Sequence, residues 1–281
     1  MTADRETLLR ANRQCYQQLT AADSPLCRIV SDEELQDPLH TVDGIGWLGG
    51  NIRGWNVLCL AAGGGRQSCL YAAAGAQVTV VDLSPAMLEL DRQAAQRRRF
   101  NVRLIEGSMD DLSMLPRATF DLVVHPVSTC YLPDIGAVYA QVAAVTRPGG
   151  LYISQHKSPI SLQASAHRRD GQFVLLHDYY RTDPVPAPEP STAVSRRLRE
   201  PGAVEFLHRW EELVGGMCRA GFTVEDLIEP KHATKDAAPH SFADRGAVIA
   251  PYVRIKARRR GGSSESRPSK QSEKSNLWIP S

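Results

Sequence analysis

The chain predicts an α/β fold: a doubly wound, mostly parallel sheet with helices on both faces. Three observations predict it. Between residues 55 and 155, short apolar runs alternate with helical patterns, the rhythm of strand–helix–strand units. The runs are nearly all apolar rather than alternating (Val57-Leu-Cys-Leu60, Val78-Thr-Val-Val81, Leu122-Val-Val124), as in parallel strands buried on both faces. The first run stops at three glycines, Gly63 to Gly65, and the second ends at Asp82. Two parallel strands finishing this way deliver a bare main-chain loop and a carboxylate to the same sheet edge.

Residues 4 to 21 read as a helix with Leu8, Leu9, Tyr16 and Leu19 as its apolar members, and 23 to 50 as a polar connector. A strand at 56 to 61 leads through the glycines into a helix from about Arg66 to Ala74. The strand at 77 to 82 is followed by Ser84-Pro85, an N-cap serine and a first-turn proline, which announce a helix running to about Arg98. Strands follow at 102 to 105 and from Phe120, then a helix at 134 to 146. Arg147-Pro-Gly-Gly150 reads as a turn before a strand at 151 to 155. Residues 157 to 203, with Asp-Pro-Val-Pro-Ala-Pro-Glu-Pro, interrupt the rhythm as an insertion. A helix at 204 to 220, closed by Gly221, and strands near 222 to 228 and 247 to 256 complete the pattern.

With 42% hydrophobic residues the 281-residue chain can bury a sizeable core. It contains no apolar run long enough to span a bilayer, and no apolar signal core near Met1, so the expectation is a cytoplasmic protein without membrane contact. The six cysteines form no Cys-x-x-Cys pair and read as small buried hydrophobes; no metal site is suggested. The net charge is +2, but from Arg254 onward eight Lys/Arg stand against two Asp/Glu, which leaves −4 for residues 1 to 253. An acidic body argues against a nucleic-acid-binding face. Residues 258 to 281 read as a disordered basic tail.

An edge of this kind suits a nucleoside. Glycines let a ligand lie against the main chain, and a carboxylate accepts hydrogen bonds from ribose hydroxyls. The order of motifs resembles a class I S-adenosylmethionine (SAM)-dependent methyltransferase, closest to the small-molecule group that includes ubiquinone and menaquinone biosynthesis enzymes. The resemblance rests on Val57-Leu-Cys59-Leu-Ala61-Ala-Gly63-Gly-Gly65, Val81-Asp82-Leu83-Ser84-Pro85-Ala86-Met87-Leu88, Glu106-Gly-Ser108-Met109-Asp110-Asp-Leu112, Phe120-Asp-Leu-Val-Val124 through Leu132-Pro-Asp134, and Arg147-Pro-Gly-Gly-Leu151. It covers about residues 55 to 257. It implies a Rossmann-like seven-stranded sheet with an antiparallel last strand, an N-terminal helical cap and an insertion after the fifth strand. Residues 1–50 would be the cap and connector, 51–257 the SAM-binding domain, and 157–203 an insertion and candidate substrate lid. Two departures stand out. Cys59 replaces the acid of the first motif, which helps hold the methionine ammonium in the family, and Ala61 replaces its first glycine.

By this resemblance the cofactor is SAM, held by Ala61, Ala62, Gly63 and Gly65 along the loop, Asp82 on the ribose, Leu83 and Met87 near the adenine, and Ser108, Met109 and Asp110 at the adenine edge. Tyr16 would close over it from the cap helix, with Trp47 as a second cover. The partner is a small-molecule methyl acceptor attacked at O, N or C. An oxygen nucleophile needs a proton acceptor, and His125 at the carboxyl edge of the fourth strand, beside the cofactor, is the first candidate, followed by Tyr131 and His156. His177, Tyr179 and Tyr180 in the insertion, and His208 beyond it, are candidate substrate contacts. Core packing is the plain alternative for each aromatic and histidine. A NAD(P)-dependent oxidoreductase shares the glycine loop and ribose acid, but Ser68 stands at its third glycine and no Tyr-x-x-x-Lys follows. A SAM-binding protein without catalysis, and a methyltransferase acting on RNA or protein through the basic tail, are the remaining readings.

Overall fold

In the computed structural model, which describes residues 4–261, the strands are β1 (Asn56–Leu60), β2 (Gln77–Asp82), β3 (Val102–Glu106), β4 (Phe120–His125), β5 (Thr146–Lys157), β6 (Phe222–Ile228) and β7 (Tyr252–Arg259). They form one sheet in the order β3-β2-β1-β4-β5-β7-β6. The first five are parallel, and β7 runs antiparallel to both β5 and β6. This is the Rossmann-like, doubly wound arrangement. The chain winds outward from β1 to β3, then returns to β4 on the other side. The switch point therefore lies between β1 and β4, and ligands collect there outside the carboxyl ends.

Alternation along β1 shows why both faces need covering. Leu58 and Leu60 join one core cluster, with Val81, Val123, Tyr139 and Val142; Val57 and Cys59 join another, with Val78, Val80 and Tyr71. The covering helices are α1 (Arg5–Ala21), α2 (Pro38–Val42), α3 (Gln67–Ala73), α4 (Pro85–Arg98) and α5 (Ile135–Val145). As the sequence requires, Ser84 caps α4, accepting a hydrogen bond from the Met87 amide at 3.4 Å, and Asp134 caps α5 by accepting from Ala137 at 3.1 Å.

Three expectations need correction. Arg147–Gly150 is not a separate turn: pairing jumps from Phe120–Thr146 to Leu122–Leu151, so these residues bulge within β5. The helix expected over 204 to 220 begins only after Trp210, as a π-helical turn at Glu211–Gly215 and α8 (Gly216–Arg219) once α6 (Pro159–Gln163) and α7 (Ala193–Leu198) of the insertion are counted. Residues 204 to 206 are instead drawn out, because the Val204 amide donates to Asn12 Oδ1 and the Phe206 amide to the Cys130 carbonyl. Finally, 247 to 251 are not strand. They follow α9 (Phe242–Gly246), and β7 runs on to Arg259, two residues into the stretch read as tail. Arg260 still bonds to the Gly221 and Cys218 carbonyls, and 262–281 lie outside the described residues.

Among the described residues no helix is long and apolar enough to cross a membrane. None of their His, Cys, Asp and Glu side chains gather in threes to hold a metal.

Candidate functional site

The carboxyl ends of β1 to β4 open into a cavity of about 620 Å³, a size suited to a small molecule. The loop after β1 forms its floor, Asp82 and Met87 one wall, Ser108 and Met109 the next, and Val127, Ser128 and Tyr131 the wall beyond the switch point. Helix α1 closes it with Leu9, Asn12, Arg13 and Tyr16. Asn12 staples this roof down: its amide nitrogen donates to the Tyr131 carbonyl at 3.2 Å while its oxygen takes the Val204 amide at 3.0 Å. Arg5 adds a bidentate pair to Asp110, 2.7 and 2.8 Å.

The loop is held by two carboxylates. Asp82 accepts from the Gly63 amide at 2.9 Å and the Ser84 amide at 2.8 Å. Asp91, on α4, accepts from the Gly64 amide at 2.9 Å, the Gly65 amide at 3.0 Å and the Ser68 hydroxyl. Gly65 sits at φ +76, and a Cβ there would lie 2.8 Å from the Leu90 carbonyl, so only glycine fits. Ala61, where the resemblance expects a glycine, sits in the left-handed region at φ +47. Cys59 is fully buried in the core and does not reach the cavity. The carboxylate beside it is Asp91, which faces the loop amides. Burial pushes Asp91 up to about 6 despite its hydrogen bonds. Burial also raises Asp82, against the Ser84 and Gly63 amides.

Beyond the switch point is a chain of polar groups. Tyr16 and Tyr131 meet hydroxyl to hydroxyl at 3.0 Å, and Tyr131 donates to Glu200 Oε2 at 2.9 Å. Lys157, at the end of β5, donates to the same oxygen at 2.9 Å and to Glu205, which also takes Arg199. Two cations and two anions thus balance in a buried cluster, the condition under which buried charge is tolerated. A second cavity of about 340 Å³ adjoins the first and shares Arg66, Gln67, Pro126, Gln155 and Arg254 with it.

A family model described as a methyltransferase domain matches residues 58–154. The chain is 35% identical over 181 residues to the uncharacterized methyltransferase YbaJ of Bacillus subtilis, covering 64% of this chain and 70% of that one. It is 30% identical over 118 residues to the ubiquinone biosynthesis O-methyltransferase of Bordetella pertussis, covering 40% of this chain and 49%, about half, of that relative. Among solved structures, an S-adenosylmethionine-dependent methyltransferase from Mesorhizobium loti superposes with a TM-score of 0.60 at 23% identity, over 74% of this chain and 93% of that one. The chain belongs to the SAM-dependent methyltransferases. It transfers a methyl group from SAM.

Of the residues the sequence singles out in this methyltransferase, Tyr16, Ala61, Ala62, Gly63, Asp82, Leu83, Met87, Ser108, Met109 and Tyr131 all line the larger cavity. The others do not. Gly65 turns inward against α4. Asp110 is occupied by Arg5 and Ser108. His125 is buried, its two ring nitrogens held by Tyr152 at 2.8 Å and Ser128 at 2.7 Å, and burial pulls it down to about 3. A ring so engaged has no nitrogen left for a ligand; the residue borders the second cavity instead, as Trp47 does. His156 is likewise closed between Thr129 at 2.8 Å and Ser154 at 2.7 Å, and held well below its ordinary value by burial and by His125 and His208. His208 donates from Nε2 to the carbonyls of Thr129 and Leu132, both at 3.0 Å, which pins the wall loop rather than a substrate. His177 is half-exposed. Tyr179 is exposed and stacks edge-on with Tyr180, which takes Arg209 over its ring, so the insertion meets the cavity through Glu200 rather than through this triplet.

Sequence reasoning missed Asp91, Gln67 and Glu200. Asp91 carried a signal: it lies four residues after Met87 and three before Ala94, on the buried face of α4. Glu200 and Lys157 carried none, since their meeting depends on where a 47-residue insertion returns.

Proposed function

We propose that the larger cavity holds SAM and a small-molecule acceptor, with the ribose hydroxyls on Asp82 and the adenine edge against Ser108 and Met109. Asp82 suits the ribose because each of its oxygens spends one lone pair on a loop amide and keeps another for the cavity it lines. Gln67 supports the methionine end. It lines the cavity, and its Oε1 is buried with no partner among the described residues, an acceptor waiting for a donor. The methionine ammonium supplies one, where the family's usual acid is here Cys59. Arg13, which donates to the Leu83 carbonyl at 3.1 Å and pairs with Glu106 at 3.0 Å, steadies the adenine side.

When bound, SAM supplies a methyl already activated by sulfonium charge. The protein's task is then to align the nucleophile and exclude water, and the stapled α1 roof does both. The acceptor is a small molecule attacked at O, N or C, and the protein works in the cytoplasm.

One observation carries this reading over a dinucleotide oxidoreductase: the amides of Gly63, Gly64 and Gly65 are all taken by Asp82 and Asp91. A pyrophosphate needs such amides free, and it would face two carboxylates instead. A SAM-binding protein without catalysis drew on Cys59 and Ala61, and turnover of a methyl acceptor separates it from an enzyme. Calorimetric titration tests the choice. S-adenosylhomocysteine should bind and NAD should not; binding of NAD with none of S-adenosylhomocysteine reverses it.

A further inference from the structure

The geometry points to Tyr16, Tyr131 and Glu200 as a proton-accepting relay for a hydroxyl-bearing acceptor, so that the methyl is delivered to oxygen. This rests on the SAM site just described and names the acceptor chemistry of that same cavity.

Hydrogen-bond direction carries the argument. Glu200 is one-tenth exposed, and Lys157 is 2.9 Å from its Oε2. Burial works against the Glu200 charge, but Lys157, with the hydrogen bonds from the backbone and Tyr131, keeps the carboxyl below its ordinary value. An ionised carboxylate has no hydrogen to give, so the Tyr131 hydroxyl donates to it at 2.9 Å. Tyr131 has only that one proton. Its contact with Tyr16 at 3.0 Å is therefore a bond donated by Tyr16. The Tyr16 oxygen is left as an acceptor, and Tyr16 lines the cavity. Glu200 takes Tyr131 and Lys157 both on Oε2, and Glu200 lines the same wall. The Tyr16 oxygen and the Glu200 carboxylate are thus acceptors on a wall that the Tyr252 hydroxyl also lines, and a ligand that meets them must bring an O–H or N–H.

Base strength then selects between the two. A carboxylate held below its ordinary range by Lys157 is a weak base. It takes a proton only from a group that turns strongly acidic as the methyl arrives, and a hydroxyl oxygen acquiring a third bond does so. An amine beside the same carboxylate would stay protonated and unreactive. In the step, the hydroxyl oxygen forms its C–O bond while the S–C bond breaks and its pair returns to sulfur. The hydroxyl proton passes to the Tyr16 oxygen, the Tyr16 proton to Tyr131 and the Tyr131 proton to Glu200, which ends as a neutral carboxyl beside Lys157. The two histidines first expected to serve are closed off, so among the described residues Glu200 is the carboxylate base at this wall.

The test has two parts. A defined set of small alcohols, phenols, amines and thiols is incubated with wild type and labelled SAM, and the new bond is read by mass spectrometry and NMR. O-methyl products are expected; N-, S- or C-methyl products, or silence from every hydroxyl compound, overturn the proposal. Tyr131→Phe keeps the ring and the charge cluster, and Glu200→Gln removes the terminal base. On the best hydroxyl acceptor both should lower kcat about 10²–10⁴-fold with KM little changed, and Glu200→Asp should recover part of the loss. Wild-type binding of S-adenosylhomocysteine, read by calorimetry, must be retained in both. If wild type fails to bind it, the SAM site itself is wrong. If it binds and Tyr131→Phe turns over at the wild-type rate, the relay alone falls. Glu200→Gln weakening S-adenosylhomocysteine but not 5′-methylthioadenosine, which lacks the ammonium, would place the carboxylate on the methionine end and also overturn the relay.

Discussion

Asp91→Asn tests the electrostatics of the glycine loop, and its effect turns on pH. Asp91 is fully buried and is the common acceptor of the Gly64 and Gly65 amides and the Ser68 hydroxyl. Burial nevertheless raises it from 3.8 to about 6. Each tenfold change in an ionisation constant is worth about 1.4 kcal/mol, so ionising this group in the folded protein rather than in the open chain costs about 3 kcal/mol. The native state holds a proton that the unfolded chain has already lost between about pH 4 and about pH 6. Asp91's contribution is therefore complete below that window, declines as pH rises through it, and is flat above. Asparagine cannot ionise and lacks this slope. It turns an NH₂ or a single carbonyl toward two amide donors, a constant loss of about 1–3 kcal/mol. Urea unfolding of both proteins from about pH 4 to about pH 7 should show the variant gaining on wild type by about 3 kcal/mol across the range. Parallel curves, or a gap moving the other way, would show that the loop amides outweigh burial and refute the reasoning.

Three further outcomes follow from the same geometry. Gly65→Ala forces a side chain into φ +76 and against the Leu90 carbonyl at 2.8 Å; a loss of about 2–4 kcal/mol is expected in urea unfolding, and a neutral result would contradict the tight loop packing. Ala61→Gly relieves a left-handed alanine at φ +47 and should raise the melting temperature by the equivalent of up to about 1 kcal/mol; a lower one contradicts it. His208→Ala leaves the carbonyls of Thr129 and Leu132 without their shared donor and should cost about 2–3 kcal/mol of stability with S-adenosylhomocysteine affinity unchanged. Lost affinity at unchanged stability would put His208 on the ligand.

The parallel half of the sheet was legible because each of its signals is local. An apolar run ending in Asp82, the Ser84-Pro85 start of α4 and the glycine run need only neighbours in sequence to be read, and strand β2 spans the residues expected of it. The antiparallel edge was less so. The polar alternation of β7 blurs its ends, and helix-like spacing over 204 to 220 yielded to two tertiary hydrogen bonds, from Val204 and Phe206. The histidines misled for a related reason. Position at a strand's carboxyl end says that a side chain is near the crevice, not which way the ring turns, and His125 and His156 both turn to hydroxyls inside the protein. Glu200 shows the converse. Nothing near it marks it as special, and its importance comes from Lys157 and Tyr131, brought to it by the fold.

Adenosine docking where β1 and β2 end is the requirement on which the SAM site stands, and a crystal structure with S-adenosylhomocysteine measures it directly. Ribose hydroxyls are expected within hydrogen-bond reach of the Asp82 carboxylate, adenine beside Ser108 and Met109, and the sulfur facing the wall of Tyr16 and Tyr131. Adenosine bound in the smaller cavity beside Trp47, or a ribose with no contact to Asp82, would contradict it.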